Sequence, residues 1–203
     1  MAKPYILVVF SSVTGATSSL AHSIARGVNM CTGMSARIRT VPSVDDLINT
    51  GKQKKQTVAF ATTEDLADCS GLAIGSPTHF GNMTSGLQYW LEKTSGLWFS
   101  GALVNKPAAV FTSSASQHGG QETTLMNMMN PLMHHGMLVV GVTYPSGHLV
   151  KTQKGGTPYG ASHVAGEGRG DSALTDLEHA IAIEQGKRLA EIASALNVLN
   201  TEG

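Results

Sequence analysis

The sequence predicts an α/β fold: a doubly wound, five-stranded parallel sheet with helices on both faces. One observation is that apolar segments of strand length alternate with segments of helical periodicity along most of the 203 residues. Another is that the first strand, Tyr5–Phe10, is apolar at every position, as strands are when helices cover both faces. We therefore expect right-handed crossovers and a single domain over residues 1–203, with insertions near 42–66 and 145–171.

Three elements complete the first part of the prediction. Apolar residues recur with helical spacing over Ser18–Val28, which predicts the first helix. Alternating character over Ala36–Val41 predicts a weaker second strand, and Leu72–Ile74 is a short apolar third strand. These segments together predict the first βαβ unit of a parallel sheet.

The next helix is predicted to end at Lys93 and to begin at a cap, either Asn82 or Thr84, because both residue types accept hydrogen bonds from a first helical turn. The short apolar segment Ala108–Phe111 predicts the fourth strand. It follows Pro107, which is tolerated at the first position of a strand.

The last third of the chain completes the sheet and its cover. A Met-rich helix is predicted over Gln121–His134, although Pro131 should bend or restart it. Met137–Val142 is the predicted fifth strand. A long closing helix follows over Leu174–Leu196, with apolar residues along one face.

Composition argues against several classes of partner. Lys plus Arg and Asp plus Glu both number 14, so the formal net charge is +0 and no basic face for nucleic acid is expected. No apolar segment approaches the ~20 residues of a membrane helix, and the chain does not start like a signal peptide, which favours a cytoplasmic location. Only 14% of residues are charged, against ~25% in a typical domain, which favours an oligomer.

Ligands of such sheets bind at the carboxyl ends of the strands. The segment after the first strand, Ser11–Thr17, is rich in hydroxyls, has no Lys or Arg, and matches neither glycine-rich nucleotide pattern. A helix N-terminus offers free N–H groups and about half a positive charge, so it can hold a mononucleotide phosphate without a basic side chain. From this segment alone, a phosphate site and a simply capped helix are equally good interpretations.

Small and polar residues also follow the third and fourth strands. Gly75–Met83 contains Pro, Gly and a loop aromatic, Phe80, and Thr112–Gln121 has paired glycines ahead of a helix. Small residues let a flat ligand approach the backbone. Trp98, in an expected loop between them, could stack on such a ligand or pack in an interface or core. Three such loops at one edge predict a ligand site more specifically than any one of them.

These segments together resemble the WrbA family, the flavodoxin-like NAD(P)H:quinone oxidoreductases. The likeness runs in order through nearly the whole chain and is carried by Gly75–Met83, Thr94–Leu103, His118–Thr123, His134–Met137 and Gly155–Ser162. The resemblance implies a flavodoxin-like fold with one non-covalent FMN per subunit. NAD(P)H would reduce the flavin by hydride transfer, and a quinone would then take two electrons at the same site. It also implies a homotetramer in which each flavin lies near residues of neighbouring chains.

The resemblance assigns each loop a role. The first loop would cradle the phosphate with Ser12, Val13, Thr14, Gly15, Ala16 and Thr17. The second would flank the isoalloxazine and ribityl chain with Pro77, Thr78, His79, Phe80, Gly81 and Asn82. The third would complete the site with Ser114, Ala115, Ser116, Gln117, His118, Gly119 and Gly120. Trp98 and His134 would border the pocket over the ring, where nicotinamide or quinone lies, and His134 could supply a proton.

Two positions depart from the family. The family usually has Arg where this chain has His79, and often an aromatic near Thr14. Arg is always charged, whereas His titrates near pH ~6.5. We therefore expect a weaker or more pH-dependent affinity for FMN, and the preference between NADH and NADPH stays open.

The alternative to an enzyme is an electron carrier that holds FMN without turning over quinones. A carrier is expected to be acidic so that it can dock on its partners, and this chain is neutral. A metal site is not expected, because the adjacent His134 and His135 do not share a helix face and no third ligand has recognisable spacing.

Overall fold

A computed structural model describes residues 3–48, 57–166 and 173–201 of the chain. The strands are β1 (Tyr5–Phe10), β2 (Ser35–Thr40), β3 (Gly71–Pro77), β4 (Pro107–Ser114), β5 (Leu138–Val139) and β6 (Ala161–Val164). The helices are α1 (Ala16–Asn29), α2 (Val44–Ile48), α3 (Thr63–Ala67), α4 (Ser85–Glu92), α5 (Ser95–Phe99), α6 (Gln121–His134), α7 (His148–Lys151) and α8 (Asp176–Thr201). Parts of both expected insertions, residues 49–56 and 167–172, lie outside the described residues.

The strands form one parallel sheet in the order β2-β1-β3-β4-β5, with β6 also paired to β4. In the centre, Leu7 of β1 stands opposite Arg37 of β2 on one side and Leu72 of β3 on the other. The strand order reverses after β2, so the chain covers both faces with helices. The predicted doubly wound parallel sheet is confirmed.

The fifth position of the sheet is shared by two short strands. β5 pairs with Pro107 and Ala108 at the start of β4, whereas β6 pairs with Phe111–Ser114 further along. The predicted strand Met137–Val142 is therefore too long: the Val142 N–H donates to the carbonyl of Pro158 instead of continuing along β4. The chain leaves the sheet after β5 and returns as β6, which was not predicted.

Each face of the sheet carries its own apolar core. Leu20, Ile24 and Val28 of α1 are buried with residues of α8 on one face, and Leu87 and Leu125 of α4 and α6 on the other. α1 and α8 touch through their backbones.

The contact between α1 and α8 depends on two glycines. A Cβ on Gly27 would lie 2.0 Å from the carbonyl oxygen of Ile183, and a Cβ on Gly186 would lie 2.0 Å from that of Ile24. Because no side chain fits at such distances, glycine is required at both positions for this approach.

The helix predictions hold with local corrections. Thr84, not Asn82, caps α4, and its side chain accepts from the Leu87 N–H. Trp98 lies in the short helix α5 and not in a loop. α6 runs through Pro131 to His134 without a restart, although the proline cannot donate the backbone hydrogen bond to the carbonyl of Asn127. Among the described helices, none is long and apolar enough to cross a membrane.

Candidate active site

Three loops leave the carboxyl ends of adjacent strands and lie side by side. They are the β1–α1 loop (Ser11–Gly15), the β3–α4 loop (Thr78–Thr84) and the β4–α6 loop (Ala115–Gly120). Because β1, β3 and β4 are consecutive neighbours in the sheet, the loops meet along one edge. This is the edge at which open parallel sheets bind ligands.

Hydroxyl pairs connect the β1–α1 region to the other two strands. The side-chain oxygens of Ser11 and Thr84 are 2.7 Å apart, which joins the β1–α1 loop to the cap of α4. Those of Thr17 and Ser113 are 2.8 Å apart and join the first turn of α1 to the end of β4. All these hydroxyls have a partner, so they fix the positions of the loops.

The β3–α4 and β4–α6 loops also bind each other. The Thr78 hydroxyl donates to the carbonyl of Gly119 at 3.3 Å and accepts from the Thr124 hydroxyl at 2.7 Å. A Cβ on Gly120 would lie 3.1 Å from the Cα of Gly81, so the two backbones are in close contact. Gly120 also has a φ of 90°, which a larger residue would rarely adopt.

The first turn of α1 offers unpaired backbone donors. Its N-cap, Gly15, has a φ of 101° and no side chain to accept a hydrogen bond from Thr17 or Ser18. The Gly15 N–H is itself turned inward, to the Ser12 hydroxyl at 3.1 Å. N–H groups left free at a helix start bind anions, and the helix dipole adds to that attraction. The geometry therefore fits a phosphate group.

The β3–α4 loop presents an aromatic ring to solvent. Phe80 is fully exposed and has a φ of 53°, a conformation that costs a bulky residue of order 1–3 kcal/mol. The loop holds it there with two backbone hydrogen bonds between His79 and Asn82, at 2.8 and 3.0 Å. Asn127 of α6 also donates to the Gly81 carbonyl at 2.9 Å. A strained, exposed aromatic beside two close-packed loops fits a flat ligand.

The β4–α6 loop turns tightly. The Ser114 hydroxyl donates to the carbonyl of Ser116 at 2.8 Å, and the Gly119 N–H donates to the same carbonyl at 3.1 Å. These bonds leave Gln117 and His118 exposed at the tip of the loop. The structure therefore brings together the three predicted loop segments, Ser12–Thr17, Pro77–Asn82 and Ser114–Gly120.

Trp98 and His134 lie at the opposite edge of the sheet. α6 begins at the β4–α6 loop and its 14 residues span ~21 Å, so His134 ends far from that loop. Just beyond it, the Gly136 carbonyl accepts from Asn105, immediately before β4 begins. Trp98 follows α4 at the same edge. Within one chain, neither side chain borders the three loops.

The ends of α4 and α6 are held together by a buried pair. The Thr94 hydroxyl is 2.8 Å from Nε2 of His135, and both residues are buried. Burial, and secondarily the neighbouring His134, lowers the pKa of His135. The imidazole of His135 is therefore neutral at neutral pH. Its hydrogen bond with Thr94 holds the ends of α4 and α6 together, close to the exposed side chains of Trp98 and His134.

A buried carboxylate beside the β4–α6 loop was missed by sequence reasoning. Glu178 accepts hydrogen bonds from the backbone N–H groups of Gly155, Val164 and Thr175, and its Oε2 lies 3.0 Å from Nδ1 of His163. Burial raises the pKa of Glu178, but the hydrogen bonds from His163, Thr175 and Val164 outweigh it and lower the pKa to about 2. Glu178 is therefore ionised.

This carboxylate supports the neighbouring loop through the sheet. His163 of β6 stands opposite Ser113 of β4, and Ala165 donates to the Ser114 carbonyl at 2.8 Å. A sequence signal was present, since Thr175 and Glu178 have the spacing of a capping box and do bond reciprocally.

Comparison with known proteins identifies the family of the chain. The family model described as NADPH-dependent FMN reductase matches residues 4–150, which include all three loops. The chain belongs to this family. A relative from Geobacter sulfurreducens named NAD(P)H dehydrogenase (quinone) is 39% identical over 201 residues, covering 95% of this chain and 98% of the relative. One of the same name from Solidesulfovibrio magneticus is 38% identical, covering 94% and 98%.

Solved structures support the fold. A flavodoxin, WrbA-like protein from Agrobacterium tumefaciens superposes with a TM-score of 0.68 at 20% identity, over 95% of this chain and 98% of that one. An archaeal flavodoxin superposes with a TM-score of 0.62 at 16% identity, over 94% and 99%. The flavodoxin-like fold and the resemblance to the WrbA family, both inferred from the sequence, are confirmed.

Proposed function

We propose that this protein binds FMN at the three loops and uses it to reduce quinones with NAD(P)H. In the overall reaction, NAD(P)H, a proton and a quinone give NAD(P)⁺ and the hydroquinone. The observation that carries the proposal is that the three loops are joined by hydrogen bonds beside the start of α1, which has no side-chain cap. The names of the relatives, which cover the chain almost end to end, support the same reaction.

The first turn of α1 is the proposed phosphate site. The first-turn N–H groups of α1 donate no hydrogen bond to a capping side chain, and the hydroxyl residues Ser12 and Thr14 lie beside them in the sequence. Hydrogen bonds to a charged group contribute about 1.5–3 kcal/mol each, so three or four supply much of the ~8 kcal/mol of a micromolar ligand. No basic side chain is needed for this affinity.

The other two loops are the proposed walls of the flavin ring. FMN, when bound, supplies a group that accepts hydride from NAD(P)H and passes two electrons to a quinone. The segments Pro77–Asn82 and Ser114–Gly120 would orient the ring and exclude water from it. The exposed Phe80 would cover part of the ring, which is why its strained conformation is retained.

Trp98 and His134 are proposed to act on the flavin of a neighbouring chain in a homotetramer. Both lie at the edge opposite the loops, Trp98 is 54% exposed, and Phe99 and Met133 add exposed apolar surface beside them. The low charge content of the chain supports such assembly. The Trp98 indole would bound the substrate pocket, and the imidazole of His134 would give a proton to the hydroquinone oxygen. A reaction that consumes NAD(P)H fits the cytoplasmic location that the sequence predicts.

The test is oxidation of NADH and NADPH by FMN-loaded protein in the presence of benzoquinone, together with the mass of the protein in solution. We expect quinone-dependent oxidation with parallel lines in double-reciprocal plots, and a mass four times that of the chain. FMN binding without turnover by either coenzyme would refute the enzyme and leave an electron carrier. A monomer that turns over fully would refute the contribution from neighbouring chains.

A further inference from the structure

A groove lies between α2 and α4 and ends at the candidate flavin site. Its cavity volume is about 590 Å³, and its lining residues are Val44, Leu47, Ile48, Asn82, Met83, Ser85, Gln88, Tyr89 and Glu92. Asn82 and Met83 belong to the β3–α4 loop, whose preceding residues are the proposed wall of the flavin ring. The groove is therefore continuous with the place where a substrate ring would lie.

Apolar side chains of α2 line this groove and are not covered by any other described residue. Val44, Leu47 and Ile48 have the i, i+3, i+4 spacing that places them on one side of a helix, yet α2 has no buried residue. Ile48 is 72% exposed, and Tyr89 from the facing helix α4 is 41% exposed. Contiguous exposed apolar residues of this kind mark a binding surface.

The charges in the groove select the kind of ligand. Of its described lining residues none is basic, and Glu92 adds a carboxylate. Lys93 is not among them, and its ammonium lies 4.9 Å from the centre of the Tyr89 ring. Among the described lining residues the only charge is the Glu92 carboxylate, which is unfavourable for a pyrophosphate. An uncharged aliphatic chain matches the apolar wall that Val44, Leu47 and Ile48 form with Tyr89.

We propose that this groove binds the aliphatic side chain of a quinone whose ring lies at the flavin. The substrate class is thus alkyl- or isoprenyl-substituted quinones, with the chain directed from Asn82 along α2 and α4. This inference rests on the proposed function and adds a subsite to it. Chain length should matter by a calculable amount, since a fully buried CH₂ contributes about 0.8 kcal/mol, or fourfold in affinity. An open groove covers each methylene only in part, so we expect about twofold per CH₂.

The test measures kcat/KM of FMN-loaded protein for methyl-, butyl- and hexyl-1,4-benzoquinone. From methyl to hexyl, five added CH₂ groups should raise kcat/KM about 30-fold at twofold per methylene. In Leu47→Ser, and separately in the more exposed Ile48→Ser, the ratio of hexyl to methyl should fall several-fold. Val150→Ser is the matched control, because Val150 is 74% exposed on α7, outside the groove. It should keep the wild-type ratio.

A binding measurement separates the groove from catalysis. Methyl NMR signals of Val44, Leu47 and Ile48 are followed in oxidised, FMN-loaded protein while hexyl-benzoquinone is added without NAD(P)H. We expect these signals to shift with hexyl- but not with methyl-benzoquinone.

Three results would overturn the proposal in distinguishable ways. Turnover of all quinones at a rate independent of chain length, or a length dependence that survives in both serine variants, would refute the groove and leave the proposed function intact. Absence of any quinone turnover would refute the proposed function itself. Methyl signals that follow protein concentration and not added quinone would assign the groove to a second copy of the chain.

Discussion

Replacement of Glu178 by Gln should weaken the junction between β6 and α8. The wild-type carboxylate is completely buried and accepts from three backbone N–H groups and from His163. Gln has nearly the same shape, but it carries no charge and its amide nitrogen cannot accept. At least two of these donors therefore lose their acceptor in the variant.

The pKa of Glu178 gives the size and the pH range of the effect. The folded-state pKa is about 2 against an ordinary value of 4.5. Because each pKa unit corresponds to 1.36 kcal/mol, the ionised carboxylate stabilises the fold by about 3 kcal/mol. Since the folded pKa is the lower one, this stability is fully present above pH ~5 and is lost as the pH falls toward 2.

Urea unfolding of FMN-free wild-type protein and Glu178→Gln at several pH values between 7 and 3 is the assay. We expect the variant to be less stable by about 3 kcal/mol at pH 7, and the gap to narrow to about half of that as the pH approaches 3. Glu191→Gln is the control, because Glu191 forms only an exposed pair with Lys187 and should change stability by less than about 0.5 kcal/mol. A gap that does not vary with pH would refute the reasoning.

Three further changes test other parts of the account. Gly186→Ala places a methyl group 2.0 Å from the Ile24 carbonyl, so it should cost about 1–3 kcal/mol in urea unfolding despite the better helix propensity of alanine; an unchanged midpoint would contradict the backbone contact. His79→Arg should tighten FMN binding, because the guanidinium is always charged and can bind an anion with two parallel hydrogen bonds, and an unchanged Kd would count against a role of position 79 in holding FMN. Trp98→Ala should lower kcat/KM for benzoquinone tenfold or more with little change in the FMN Kd, whereas equal losses in both would indicate a structural role only.

The sheet could be predicted because its strands are buried on both faces. Tyr5–Phe10 is apolar at every position and is indeed buried throughout. The loops could also be located, since each follows such a strand. Small and hydroxyl residues recur there for a physical reason: the Thr17–Ser113 pair and the Gly81–Gly120 contact require them.

Other features depend on contacts that no local pattern shows. β6 has only four residues after a glycine-rich segment, and it is held by pairing with β4 and by Glu178, 14 residues from Val164. Trp98 and His134 lie far from the loops because α4 and α6 both run antiparallel to the strands, from the loop edge of the sheet to the opposite edge. A sequence motif can indicate a role for such residues, but not which chain's site they serve.

Titration of FMN-free protein with FMN by calorimetry tests the central claim most directly. The three loops and the α1 start should bind one FMN per chain with a Kd in the micromolar range or tighter. Saturable heat at that stoichiometry, accompanied by a change in the visible flavin spectrum, is the predicted result. Absence of heat and of any spectral change would contradict the assignment of the loops as a cofactor site.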